Sequence, residues 1–446
     1  MTLATFFAKI TGKSVAWILE TLFHRGSTLP GQIAQKLDPN ILSSLSQSYE
    51  VIFITGTNGK TLTTALTTAI FKEAGFEVLT NTSGANMITG ITSTFLKAKK
   101  KEKQKQFAIL EIDEASLPKV TDAIKPSLFV FTNIFRDQMD RYGEIYSTYN
   151  FLVESSKKAP EATVLLNADS PIFNSKKLEN PLKFYGFATE ETLPKRAHYN
   201  TEGILCPHCH SILDYKMNSY ANLGNYLCQN CGFTRPPLDT ALTELRELSI
   251  HSSEFNIDGE HYKINIGGLY NVYNALTAVA IANFYGLDKE IITAGFEKSK
   301  AIFGRQESFN LEGKTVTIIL IKNPVGANQA IDLLGLEKEG FSLVTLLNAN
   351  YADGIDTSWI WDVNFEKLTD FNIHSVITGG VRSDEISRRL LVAGLSQASS
   401  SKDLQAVLSK IKSEKSKQVY VLATYTAMLE FRELLAKENY ISAEMK

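Results

Sequence analysis

The seven residues Thr55-Gly56-Thr57-Asn58-Gly59-Lys60-Thr61 carry what a nucleotide phosphate needs, in the order it needs it. Gly56 and Gly59 permit a tight turn whose backbone N–H groups converge on phosphate oxygens. A helix starting at the end of the loop adds a positive dipole. Lys60 puts a charge between the terminal phosphates, and the Thr61 hydroxyl is a ligand for Mg2+. Thr57 and Asn58 complete the nucleotide-holding set. The widespread phosphate-loop pattern wants glycine at position 54, where this chain has Ile54, so the loop belongs to a narrower class.

A second constellation is Cys206-x-x-Cys209, then 18 residues, then Cys228-x-x-Cys231. Each pair makes a knuckle with two thiolates for one tetrahedral ion, and the spacing is that of a zinc ribbon. Four thiolates leave no open position for water, so the zinc would be structural. Gly232 suits the turn after the second pair. His208 and His210, inside the first knuckle, read as bystanders. These are all four cysteines of the chain. With all of them on zinc, no thiol remains for the Cys–His pair that commonly takes ammonia from glutamine. Such a chain needs free ammonia, an amino-acid nucleophile or a partner.

The third constellation is Asn350–Asp362, where three carboxylates, Asp353, Asp356 and Asp362, gather with Trp359 and Trp361. Gly354 implies a turn. The tryptophan pair reads as a packed or partner-facing surface, against an ordinary strand-to-helix loop.

Short, continuously apolar runs surround these residues: 51–54, 107–112, 128–131, 163–166, 316–321, 343–347, 375–377 and 418–422. Runs of this kind predict strands buried on both faces, as in parallel sheets. Helical stretches such as 61–74 and 272–285 alternate with them, which predicts an α/β fold. The expected division is a helical segment 1–50, a central ATP-binding domain 51–305 with the ribbon inserted at 200–236, and a smaller α/β domain 306–446. Residues 1–23 suit an amphipathic helix, broken by Lys9 and Lys13, with no secretory signal and no membrane span. It would pack on the next domain or touch a membrane surface. The 46 basic and 48 acidic residues leave a net charge of −2, which speaks against a nucleic-acid binder. The charged run 97–106 reads as a solvated loop.

The loop Thr55–Thr61 resembles that of the Mur ligases and folylpolyglutamate synthases, which couple ATP to amide formation through an acyl phosphate. Further segments follow in the same order. Glu111 ends a strand where the Mur family binds Mg2+. Thr132-Asn133-Ile134 with Asp137-Gln138-Met139-Asp140, and Asn167-Ala168-Asp169, resemble family turns. Gly268–Asn274, with Asn271 and Asn274 on the nucleotide-binding side, resembles the helix start at which an Asn meets adenine. Gly304-Arg305-Gln306-Glu307 resembles the segment whose arginine reaches the phosphates, and Asn323-Pro324 opens the last domain. There are departures as well. Gln138 stands where the family has a Mg2+-linked His. Leu152 and Val153 stand where it has a carbamylated Lys. Ile319 and Lys322 replace its Asp and His.

With the inserted ribbon and the Asp353–Asp362 segment, the chain resembles the Mur ligase-like synthetase subunits of lipid II isoglutaminyl synthases. The resemblance implies ATP-dependent amidation of the α-carboxylate of D-glutamate in the stem peptide of lipid II, in the cytoplasm, with contact to the cytoplasmic face of the membrane left open. It implies ATP, Mg2+ on Thr61 and Glu111, zinc on the four cysteines, and a GatD-like glutaminase partner supplying ammonia. It implies Lys60 and Glu111 in catalysis. It also gives Asp356 the role of acid for the partner's Cys–His pair, with Asp353 as the alternative. Two competing readings are an amino-acid-adding ligase and a P-loop ATPase that binds nucleic acid through its ribbon.

Overall fold

The computed structural model describes residues 3–23, 28–81, 84–98, 105–137, 145–189, 193–197, 204–299, 305–396 and 398–442, without the side chains of Glu20, Leu22, Phe23 and Arg305. Gln138, Met139, Asp140, Gly304 and the middle of the charged run fall outside them.

The first sheet has nine strands: β1 (Glu50–Thr55), β2 (Glu77–Leu79), β3 (Gln106–Glu111), β4 (Leu128–Phe131), β5 (Thr163–Asn167), β6 (Leu182–Phe187), β10 (Thr240–Leu248), β11 (Ser253–Ile257) and β12 (Glu260–Ile264). They lie in the order β12-β11-β10-β6-β5-β4-β1-β3-β2. From β2 to β10 the neighbours are parallel; β10, β11 and β12 are antiparallel. The apolar runs alternate between two cores. Ile52, Ile54, Ile109 and Val130 face the helices Lys60–Glu73 and Leu269–Phe284, and Val51, Phe53, Leu110 and Phe131 face the other side. A strand buried on both faces has no polar positions to spare, which is why these runs read as unbroken apolar sequence.

Between β6 and β10 the chain leaves the sheet to form a three-stranded module, β7 (Lys195–Arg196), β8 (Asp214–Tyr220) and β9 (Leu223–Leu227). It then returns to pair Thr240 with Tyr185.

The second sheet has the order β13-β14-β18-β15-β16-β17, from β13 (Arg305–Leu311), β14 (Lys314–Leu320), β15 (Phe341–Leu346), β16 (Ile373–Gly379), β17 (Ser399–Ser401) and β18 (Gln418–Ala423). Apart from the β13/β14 hairpin its pairs are parallel. The carboxyl ends of β1, β3 and β4 in one sheet, and of β14, β15 and β18 in the other, open on the same cleft. That end of a parallel sheet is where ligands bind in open α/β folds.

The N-terminal helix, Leu3–Phe23, packs on the helices Leu29–Leu37 and Ile88–Lys97. No helix among the described residues is long and apolar enough to cross a membrane.

Candidate functional site

The loop after β1 takes the shape its glycines allow. Gly56 has φ 133° and Gly59 φ 87°, both in the region that disfavours a side chain. Space is equally restrictive, since a Cβ on Gly59 would come within 2.1 Å of Asn274 Oδ1. Asn133 holds the turn. Its backbone oxygen accepts from Thr57 N at 2.9 Å, its Oδ1 accepts from Asn58 N at 2.9 Å, and its Nδ2 donates to Asn58 O at 3.0 Å. Thr132 Oγ1 also donates to Asn58 O, and Asn167 Nδ2 donates to Thr132 O. The amides of Thr57 and Asn58 therefore serve the loop's own shape. The cradle for phosphate falls to the first turn of the helix beginning at Lys60, where the dipole is strongest.

Lys60 is buried, with Nζ bonded to Gly56 O and 3.1 Å from Glu114 Oε2. Burial pulls its pKa down, but Glu114, Glu111 and Asp113 outweigh that and raise it, so the ammonium stays charged. Thr61 Oγ1 donates to Glu111 Oε2 at 2.9 Å, and Asn86 Nδ2 donates to Glu111 Oε1 at 3.3 Å. A hydroxyl next to a carboxylate gives hard oxygen donors, which suit Mg2+. These groups line a cavity of about 300 Å3, whose far wall is Leu320, Lys322, Asp353, Thr424 and Tyr425 of the second sheet's domain. At the seam Lys322 Nζ meets Asp137 Oδ2 at 2.5 Å.

Asn271 and Asn274 are buried at the start of helix Leu269–Phe284. Asn271 Nδ2 donates to Gly267 O at 2.6 Å and Asn274 Nδ2 to Asn271 Oδ1 at 3.3 Å, so Asn274 abuts the phosphate loop. Arg305 begins β13, but its side chain lies outside the described residues. Leu152 and Val153 are buried in helix Ile145–Lys158 and offer no amine to the site.

The ribbon is built from two tight turns. His210 N donates to Cys206 O, Gly232 N to Cys228 O, and Gly232 has φ 75°. The four sulfurs lie within 4.8 Å of one another, with Cys206–Cys231 and Cys209–Cys228 each at 3.5 Å. A tetrahedral ion with Zn–S bonds of about 2.3 Å needs sulfurs about 3.8 Å apart, so the set fits one zinc. His208 instead packs its ring on Phe233.

The module is tied to the sheet through Asp169. Its carboxylate, fully buried, meets Arg235 Nη1 at 2.7 Å and accepts from Tyr273 OH at 2.7 Å and Phe187 N at 2.8 Å. Burial raises its pKa, against the pull of Arg235.

In the loop after β15 the two candidate aspartates differ. Asp353 is buried and saturated, since Thr426 N and Oγ1 and Asn350 N all donate to it. Asp356 is exposed and accepts from Ser358 N at 2.8 Å and Ser358 Oγ at 2.9 Å, which holds its carboxyl below the usual range. Tyr351, Ile355 and Trp361 of the same segment are exposed, and Asp356 lines a small cleft with Arg136, Lys322 and Asp362. Asp362 pairs with Arg136 across the cleft.

Sequence reasoning missed Glu114, the partner of Lys60, although it stands three residues after Glu111 in an acidic strand end. It also missed the anchoring role of Asp169 and Arg235, which no local pattern announces.

The chain matches the Mur ligase middle domain over residues 54–231 and the MurT ligase C-terminal domain over residues 320–428. It is 56% identical over 447 residues, all of both chains, to the lipid II isoglutaminyl synthase (glutamine-hydrolyzing) subunit MurT of Streptococcus pneumoniae. It is 39% identical to the Staphylococcus aureus subunit of the same name, over 83% of each chain. Among solved structures it resembles a pseudomurein peptide ligase type C from Methanothermus fervidus (TM-score 0.66, 20% identity, 90% of this chain and 81% of that one). It also resembles MurF from Acinetobacter baumannii (0.64, 15%, 91% and 80%).

Proposed function

The chain belongs to the MurT family of Mur ligase-like ATP-dependent ligases, and from that premise we propose that it amidates the α-carboxylate of D-glutamate in the stem peptide of lipid II, giving D-isoglutamine. The carboxylate oxygen attacks the γ-phosphorus of ATP and ADP leaves. Ammonia then adds to the acyl phosphate carbon and, after losing a proton, replaces phosphate, which departs. One observation carries this reading: Lys60, Thr61 and Glu111 lie together in a cavity that the domain bearing the MurT signature closes from the other side.

Lys60 stabilises charge on the transferred phosphoryl group, where a fixed cation in a dry site is most effective. Thr61 and Glu111 would hold Mg2+, which would supply positive charge against the phosphates. Asn274 packs against the loop at Gly59, and the family resemblance gives Asn271 and Arg305 nucleotide-contacting roles. Zinc on the four cysteines keeps the ribbon folded.

Ammonia comes from a GatD-like glutaminase, because a four-thiolate site leaves no cysteine to attack glutamine. Asp356, exposed and ionised, orients the partner's histidine as the acid of a triad does. Asp353 is already committed to Thr426. We place the reaction at the cytoplasmic face of the membrane.

The test is nitrogen source. The isolated chain with ATP and lipid II should amidate with ammonium and not with glutamine, and adding the glutaminase should restore glutamine use. Ligation of free amino acids, with no amidation from ammonium, would overturn the assignment in favour of the amino-acid-adding ligases.

A further inference from the structure

Helix Leu3–Phe23 is built inside out. Its buried residues are small: Thr5, Ala8, Gly12 and Ala16. Gly12 is so close to the neighbouring helices that a Cβ there would lie 2.7 Å from Leu96 Cδ1 and 3.2 Å from Ala34 Cβ. Thr5 Oγ1 donates to Asp38 Oδ2 at 2.7 Å, fixing the helix's rotation. Six large apolar side chains point the other way, while Val15 and Leu19 are half-buried. Leu3, Phe6, Phe7, Ile10, Trp17 and Ile18 are between 42% and 78% exposed. Their spacing places them within an arc of roughly 120° at 3.6 residues per turn.

A surface helix of a soluble domain normally turns its large residues inward and its polar ones out. Here the inward face leaves no room for a side chain at Gly12, so turning the ridge inward there would drive large side chains into Leu96 and Ala34. A contiguous ridge of this kind marks a binding surface. The sequence-level alternative of a helix merely packed on its neighbour accounts for only one of the two faces.

We propose that this ridge lies in the surface of an anionic lipid bilayer and holds the ATP cavity next to a lipid-borne substrate. This rests on the lipid II reading above. Three observations select the membrane over a protein partner. Helix Leu3–Phe23 holds two cations, Lys9 and Lys13, against one carboxylate, Glu20, near its far end, in a chain whose overall charge is −2. A cationic margin beside an apolar ridge suits an anionic lipid surface. Trp17 is among the most exposed residues of the ridge, and indole favours the membrane–water boundary. The helix cannot cross a bilayer, so its apolar face is used lying flat. The synthetase–glutaminase contact is assigned to the other sheet's domain, around Asp356, which leaves this ridge free for the substrate's own environment.

The experiment uses the full chain bound to its glutaminase. It is sedimented with vesicles of phosphatidylcholine alone or mixed with phosphatidylglycerol. The native complex should co-sediment with the anionic vesicles and only weakly with the neutral ones. F7S/W17S should weaken binding by roughly tenfold or more, through lost apolar burial. Its melting temperature should be unchanged, since both side chains are exposed. Amidation of lipid II embedded in vesicles should fall with it, while amidation of detergent-dispersed lipid II stays near the native rate. Native protein that ignores both vesicle types, or a variant that binds them as well as the native chain, overturns the proposal. So does a native dimer that the variant converts to monomers without any vesicle binding, which would assign the ridge to a second copy. Ridge-dependent vesicle binding with no amidation of either substrate would leave the docking surface standing and sink the lipid II assignment.

Discussion

Asn58 of the phosphate loop and Asn323 of the second sheet's domain pair their side-chain amides reciprocally, Nδ2 to Oδ1 at 3.1 Å one way and 3.4 Å the other. The two residues are 265 positions apart, and Asn323 also caps helix Pro324–Leu334 by accepting from Gly326 N. The pair therefore ties the phosphate loop directly to the second sheet's domain across the cleft. Asn58→Ala removes it without touching the cap. A net hydrogen bond of about 1 kcal/mol predicts a roughly fivefold rise in KM for ATP with little change in melting temperature. Steady-state kinetics beside a thermal scan checks both halves.

Lys60→Ala should remove the charge nearest the transferred phosphoryl group. The loss of a contact of this class is about 3 kcal/mol, or more than a hundredfold in kcat. It should strike the ammonium- and glutamine-dependent reactions equally. Near-native turnover would refute the role.

The two aspartates after β15 should separate cleanly. Asp356→Asn should abolish glutamine-dependent amidation and leave ammonium-dependent amidation intact, because the ATP cavity does not use it. Asp353→Asn should loosen the loop from Thr426 and lower thermal stability, by about 1–3 kcal/mol for a buried hydrogen-bonded carboxylate. The reverse pattern would move the triad acid to Asp353.

Purified protein should contain about one zinc per chain. Cys206→Ser should lose it and expose the ribbon to proteolysis, while phosphate-loop chemistry with ammonium falls only as far as the sheet loosens. A folded chain without metal by elemental analysis would contradict the site.

Asp169→Ala would leave the largely enclosed Arg235 guanidinium without its carboxylate, a loss of about 3 kcal/mol. Thermal denaturation should show a large drop while the zinc content holds. A drop below about 1 kcal/mol would mean that the ribbon does not depend on this contact.

The strands were legible because a parallel sheet buried on both faces leaves no polar residue in its runs, so β1 and β4 could be read directly from Val51–Ile54 and Leu128–Phe131. The phosphate loop and the four cysteines were legible because their chemistry dictates local spacing. The exposed ridge on the first helix was not. Apolar periodicity gives a face but not its direction, and only the tight fit at Gly12 shows which side is inward. Nor could the sequence separate Asp353 from Asp356. Their difference lies in Thr426, which is distant in the chain and adjacent in space. The Asp169–Arg235 pair was hidden for the same reason.

The return of the chain from the ribbon to the sheet bears on how the molecule is made. Strand β10 can join β6 only after the ribbon between them has been synthesised, and β11 and β12 reach the sheet only through β10. A ribbon clamped by metal brings the two ends of that excursion together, whereas an unclamped one leaves the ordering of a long loop to chance closure. On the proposed zinc site, metal supply becomes a maturation step. Chain made while zinc is scarce would carry an intact phosphate loop on a sheet missing its last three strands. Refolding in a chelator should stall at that stage and resume when zinc is added.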